Sequence, residues 1–237
     1  GLVRGEAYFG ASQEKIPFPT GYFSLKGAQT LGGNLDYLEG NWQWRAGFTQ
    51  LRFKHPMAPP VGDLREALIN TGVASAQKAA DELDLVGRHV RYYTLGAVYE
   101  NGPLVAQAML GRLRHDSSVI QGQIAGMFLA SYRVGDLTPF AGYSFVRSHA
   151  KHLTTGLPNT GSSAALNAML ASIMADSHAD QHTVSAGVRW DFQRDAALKF
   201  QVDAIRGTPD SIHPVRRETS RWNGKTNVFS IALDFVF

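Results

Sequence analysis

Ten charged residues stand at alternate positions of segments whose other positions are apolar or small: Arg4, Glu6, Asp36, Arg45, Arg133, Arg189, Asp191, Lys199, Asp203 and Asp234. Side chains two residues apart on an extended strand share a face, so each charge belongs to the side opposite its apolar neighbours. Five bases and five acids on one hydrated wall have two uses. They pair with one another and solvate the wall, or they oppose each other as a ladder whose transverse field orients polar solutes. Five against five assigns no anion or cation preference.

Other residue types offer less chemistry. His149 and His152, with His178 and His182, flank one link, and the last pair has the i,i+4 spacing that suits a metal on a helix. His182 opens a strand-like segment, however, and no acidic cluster completes a site, so no metal is expected. Ser148-His149 and the group Asp176, His178 and Asp180 are the clusters a hydrolase could use, but no motif fixes their geometry. The chain has no cysteine, which removes disulfides, thiolates and zinc-thiolate sites, and no cofactor is expected. Arg216, Arg217, Arg221 and Lys225 crowd one link, where they could meet anionic solutes or lipopolysaccharide phosphates; a solvated loop is the plainer reading.

The elements that position these residues show themselves by period. From Phe229 to Phe237 the odd positions are Phe, Ile, Leu, Phe and Phe, while the even ones are Ser230, Ala232, Asp234 and Val236. The same two-residue period runs through 42–49, 121–133, 182–192 and 198–204. No stretch approaches the ~18 apolar residues of a spanning helix. Mean hydropathy is −0.17, as expected when only every second residue faces lipid. The polar side carries Arg and Asp, so the greasy side faces outward, with Tyr37, Trp42, Trp44, Tyr99, Tyr132, Trp190, Phe192, Phe235 and Phe237 near strand ends as membrane-interface girdles. Short connections at 39–41, 100–103, 135–137 and 193–196 alternate with long links near 12–27, 55–86, 150–179 and 207–225, with His115 to Ser118 the one brief exception among the latter. The reading is all-β: an antiparallel transmembrane β-barrel domain over 1–237, with about ten strands and helical segments at Asp63–Leu85 and Ser162–Asp176 in the long extracellular links. Those helices either pack on the barrel mouth or fold inward as a constriction. Net charge is +3 without a basic run, so nucleic acid is not an expected partner.

Three segments carry a resemblance: Gly40-Asn41-Trp42-Gln43-Trp44-Arg45-Ala46-Gly47-Phe48, Arg91-Tyr92-Tyr93-Thr94-Leu95-Gly96-Ala97, and Gly135-Asp136-Leu137-Thr138-Pro139-Phe140-Ala141-Gly142-Tyr143. With the aromatic last strand, they resemble the proteobacterial outer-membrane porins. The resemblance implies a bacterial outer-membrane location and a passive, water-filled channel for small hydrophilic solutes, with no enzyme activity. It also implies contacts with outer-membrane lipid and lipopolysaccharide, and a homo-trimer. Phe237, assisted by Phe235, would be read by the barrel-assembly machinery. Family members commonly have sixteen strands, so this chain is expected to be the carboxyl-terminal portion of a larger barrel. An outer-membrane barrel hydrolase, or an adhesin or structural barrel that binds a partner through its loops, are the other functions such a sequence allows.

Overall fold

The computed structural model describes residues 1–18, 21–149, 152–176, 178–211 and 223–236, with only the backbone at 16–18, 21–23 and 176. In chain order the elements are β1 (Leu2–Ala11), β2 (Lys15–Phe18), β3 (Gly21–Ser24), β4 (Gln29–Glu39), β5 (Trp42–Arg52), α1 (Val61–Asn70), α2 (Ala74–Glu82), β6 (His89–Asn101), β7 (Leu104–His115), β8 (Gly122–Tyr132), β9 (Leu137–His149), α3 (Gly161–Asp176), β10 (Asp180–Gln193), β11 (Ala196–Gly207) and β12 (Lys225–Phe235). Ten of the strands form one antiparallel sheet in the order β1-β4-β5-β6-β7-β8-β9-β10-β11-β12; β2 and β3 form a separate hairpin in the first long link. Every neighbour in the large sheet beyond that link is a neighbour in sequence, the up-and-down pattern of a membrane barrel.

The four short connections close as expected, but by a narrower device. Gly40, Gly102 and Gly135 have φ of 56°, 57° and 60°. A positive φ at the first central residue is what a type II′ hairpin needs. Asn41 and Asp136, the second central residues of two of these turns, keep negative φ, since no non-glycine residue among those described has a positive one. The fourth turn, Arg194-Asp195, has no glycine, and the register shifts between Trp190 and Gln193 to reach it.

Register carries the alternation across the whole sheet. One row of partners runs Val3, Tyr37, Trp44, Ala97, Ala108, Phe128, Tyr143, Val184, Ala204, Asn227, nearly all apolar. It starts beside the short-turn rim at Val3 and ends beside the long-link rim at Asn227. The strands are therefore inclined to the rims, the stagger by which a sheet curls into a barrel. No helix among the described residues is long and apolar enough to cross a membrane.

The sheet has no dry core of its own. Phe229 is 80% exposed and Ile231 72%, and large apolar residues stay open on every strand. The buried cluster lies in the long links instead: Leu64 and Leu68 of α1, Ala76, Ala79 and Ala80 of α2, Leu83, Leu85 and Val119, and Leu170 and Ile173 of α3. Spacing of three and four residues puts each set on one helix face. The expected single helix over Asp63–Leu85 is two, because Gly72 takes φ 68° and stops α1.

Candidate functional site

The candidate residues all belong to one face. On β1, β4 and β5, Arg4, Asp36 and Arg45 are consecutive register partners, with Glu6 two residues along. Arg45 clamps Asp36 through Nε at 2.6 Å and Nη2 at 3.0 Å, and the Asp36 carboxylate is almost fully buried beneath it. On β10 to β12, Arg189 donates to Asp191 at 2.8 Å and to Asp234 at 2.7 Å, while Arg133 reaches Asp191 at 3.6 Å. Asp203 accepts from Ser185 Oγ and Gln201 Nε2. Lys199 is the register partner of Arg189; its Nζ stands 4.9 Å from the Phe140 ring centroid, a cation–π distance. Six of the ten charges pair: Arg45 with Asp36, and Arg133 and Arg189 with Asp191 and Asp234; among the described residues Arg4, Glu6, Lys199 and Asp203 form no ion pair.

Between the two clusters the same face is less polar than the alternation suggests. Val105, Met109 and Leu113 of β7 and Met127 and Leu129 of β8 share it, as shown by pairs such as Met109–Met127. A shallow groove there is lined by Met127, Leu129, Phe140, Lys199, Gln201 and Asp234.

The helical links sit over this same side. Leu51 and Val90, register partners on the polar face, pack against the buried cluster of α1 to α3. Polar contacts tie the cap down. Ser117 Oγ donates to the Glu82 carbonyl at 2.8 Å, Ser118 Oγ to the Glu82 carboxylate at 2.6 Å, and Gln121 Nε2 to the Met174 carbonyl at 2.7 Å. At the same rim Asp116 receives Arg91 at 2.8 Å and the His89 ring at 3.2 Å. Partial burial opposes ionisation of Asp116, but these donors and the Arg91 charge outweigh it and hold the carboxyl below its ordinary value.

The opposite face carries most of the aromatic residues, Tyr8, Tyr92 and Phe140 excepted, with one difference from expectation. The girdle rings Tyr37, Trp42, Trp44, Tyr99, Tyr132, Trp190, Phe192 and Phe235 all gather at the short-turn rim, where Trp42 stacks on Trp44 at 5.1 Å and meets Tyr99 at 4.8 Å. At the long-link rim this face carries arginines instead: Arg52, Arg91 and Arg206, and on β7 and β9 Arg112, Arg114 and Arg147. The alternation in Gly111-Arg112-Leu113-Arg114-His115 would have placed Arg112 and Arg114 there, since they are two and four residues along from Leu110.

The clusters considered for hydrolysis do not assemble. Ser148 and His149 are adjacent on β9 and so point to opposite faces; Ser148 Oγ accepts the Ala179 N–H at 2.8 Å. His178 faces Gln121 at 3.4 Å and Asp210 at 3.7 Å. Asp180 is the register partner of Arg147, and the Asp176 side chain is outside the description. Among the described residues no group of three His, Asp or Glu could hold a metal. Phe237, Arg216, Arg217 and Arg221 lie outside the described residues.

No family model matches the chain, and no curated protein sequence does. Solved outer-membrane proteins are similar in fold. OmpT of Vibrio cholerae is 15% identical with a TM-score of 0.52, over 88% of this chain and 56% of that one. An anion-selective porin from Comamonas acidovorans is 13% identical at 0.52, over 88% and 49%. A loop L8 deletion mutant of the Vibrio OmpT is 14% identical at 0.51, over 98% and 62%. The chain thus spans about half to three fifths of the length of these structures. Its fold, with a belt of exposed apolar side chains, is that of a bacterial outer-membrane β-barrel protein.

Proposed function

We propose that the chain is part of a passive porin, a water-filled channel for small hydrophilic solutes across the bacterial outer membrane, performing no catalytic step. The observation that carries this reading is the sidedness. Across ten strands in continuous register, all ten candidate charges share the face opposite the aromatic belt. In lipid such charges are tolerated only around water or each other, and a hydrated lumen supplies the water.

The outer strands support a larger barrel. Among the described residues β1 and β12 each pair on one side only, leaving two rows of backbone donors and acceptors open. Unsatisfied backbone groups cost several kcal/mol each in hydrocarbon, so a spanning sheet must close. On this reading further strands complete the wall, which gives a lumen wide enough for water; about ten strands alone would fill theirs with side chains. The helical cap, resting on the polar face, narrows the outer entrance. The aromatic β12, ending at Phe235 and Phe237, serves the barrel-assembly machinery, and the greasy belt contacts outer-membrane lipid and the other copies of a trimer.

Planar-bilayer recording tests the proposal. Discrete ohmic conductance steps, rising with salt concentration, are expected from folded protein. A protein verified as folded that never conducts would overturn it. Hydrolytic activity abolished by His149→Ala or His178→Ala would favour the enzyme instead.

A further inference from the structure

The apolar face carries a feature that a channel does not use. At the long-link rim, Ile124 of β8 has Arg112 of β7 on one side and Arg147 of β9 on the other as its register partners. Arg114 lies two residues beyond Arg112 on the same face. Neighbouring strands are ~4.8 Å apart, so the two flanking arginines stand roughly 10 Å from each other across a floor made of Ile124 and the side-chain-free Gly122. Two guanidinium groups reaching inward over such a gap can share a tetrahedral anion.

These arginines lack the partners their neighbours have. Arg91 is held by Asp116 and Gln50, and Arg206 by the Ile205 and Thr226 carbonyls and Asn227. Among the described residues, the side chains of Arg112, Arg114 and Arg147 make no ion pair or hydrogen bond. Arg114 is moreover the register partner of Arg91, a like-charge juxtaposition that is unfavourable in a sheet. Two carboxylates lie nearby, Asp116, which is taken by Arg91 and His89, and Asp180, opposite Arg147; neither forms an ion pair with the three arginines.

Height identifies the anion. On β7 the outward row is Leu104, Ala106, Ala108, Leu110, Arg112, Arg114. Eight residues from Leu104 to Arg112 rise about 27 Å along the strand, or roughly 21 Å along the membrane normal at a tilt near 40°. That is close to the height of the apolar band, so the guanidinium groups sit at headgroup level. One step toward the membrane centre the surface is Leu110, Phe128, Tyr143 and Phe145. Phosphate-binding groups above an apolar slope fit a ligand with phosphates at one end and acyl chains at the other.

We propose that Arg112, Arg114 and Arg147 bind the phosphates of an outer-leaflet glycolipid, with its acyl chains lying along Leu110, Phe128 and Tyr143. Arginine suits this role because its planar fork meets phosphate oxygens in pairs. The site rests on the reading that the apolar face meets lipid, but not on the channel being open.

The test uses the whole protein in detergent, titrated with bisphosphorylated lipid A and followed by native mass spectrometry, beside the triple variant Arg112→Gln/Arg114→Gln/Arg147→Gln and the same-rim control Arg52→Gln. Affinity in the triple variant is expected to fall by about ten-fold or more, since each lost charge-assisted contact to phosphate counts. Arg52→Gln should bind as the parent does, and lipid A stripped of its phosphates should bind parent and triple variant alike. Equal binding by parent and triple variant, an equal loss in Arg52→Gln, or full competition by millimolar inorganic phosphate would each overturn the proposal. Single-channel conductance checks folding of the variants. If nothing conducts yet the gel mobility of a folded barrel persists and lipid binding still follows the arginines, the channel reading fails and this one stands.

Discussion

Phe200 and Gln201 are adjacent on β11 and face opposite sides, so arginine placed at each tests the sidedness with one change of chemistry. The outward row of β11 runs Leu198, Phe200, Val202, Ala204, Arg206, which puts Phe200 near the centre of the apolar band between Val188 and Ile231. Arginine on the lipid face of a barrel costs about 2–4 kcal/mol at mid-membrane. Gln201 stands on the polar face, donating to Asp203 at 2.9 Å; an arginine there keeps a donor for that carboxylate in a hydrated setting, and the expected change is within about 0.5 kcal/mol. The two variants should thus differ by at least about 1.5 kcal/mol, more than ten-fold in the folding equilibrium. Urea titration of folding into thin-bilayer vesicles, followed by tryptophan fluorescence and gel mobility, measures the difference. If Gln201→Arg costs as much as Phe200→Arg, the assignment of faces is refuted.

Asp36→Asn removes the carboxylate that Arg45 clamps and leaves Arg4 and Arg45 facing only Glu6, so the reversal potential in a salt gradient should shift toward anion preference; a shift toward cations would contradict the placement of this pair on the channel lining. Leu68→Ala opens a void in a fully buried site of the cap. It should weaken the cap by about 2–5 kcal/mol, seen as faster proteolysis within 55–86 while the heat-modified gel mobility of the barrel is unchanged. Acid should loosen the same rim. The Asp116 carboxyl is held below the ordinary ~3.9, so its contribution is complete above that pH and is lost as pH falls through the lower folded value. Hydrogen exchange around 115–119 should accordingly rise only below about pH 4, and an Asp116→Asn protein should lose that dependence.

The fold was legible wherever large apolar residues alternate strictly with polar ones, as in 229–235, because a period of two leaves one strand orientation that satisfies both lipid and water. One ion pair was legible too. The Gly40-Asn41 turn fixes Glu39 opposite Trp42, and counting back from it puts Asp36 opposite Arg45. The Arg189–Asp234 contact was not, since it spans two strand boundaries and passes a register shift near Trp190. Nor was the greasy middle of the polar face. Met109, Met127 and Leu129 interrupt the alternation in the middle of β7 and β8, and the period read across 121–133 rests on the polar residues at its ends, Gln121, Gln123, Ser131 and Arg133. The three unpartnered arginines were within reach of the alternation around Leu110, but counting charges along the chain hides that Arg112, Arg114 and Arg147 lie on the face opposite Arg45 and Arg189.

The location of the buried residues says what holds this protein together. Nearly all of the dry cluster is supplied by the cap over the long-link rim, while strands such as β12 keep most of their side chains open on both faces. A sheet that buries so little against itself gains little from water exclusion, and in water its Phe229, Ile231 and Phe235 would drive aggregation. In lipid the same residues are solvated by acyl chains, the backbone ladder becomes hard to break because no water waits to replace it, and stability passes from side-chain packing to the hydrogen-bond register. That exchange frees the other face. Apart from Leu51 and Val90 beneath the cap, its side chains are not needed to fill the buried cluster, so Asp36 and Arg45, and Arg189 and Asp234, can be held by each other.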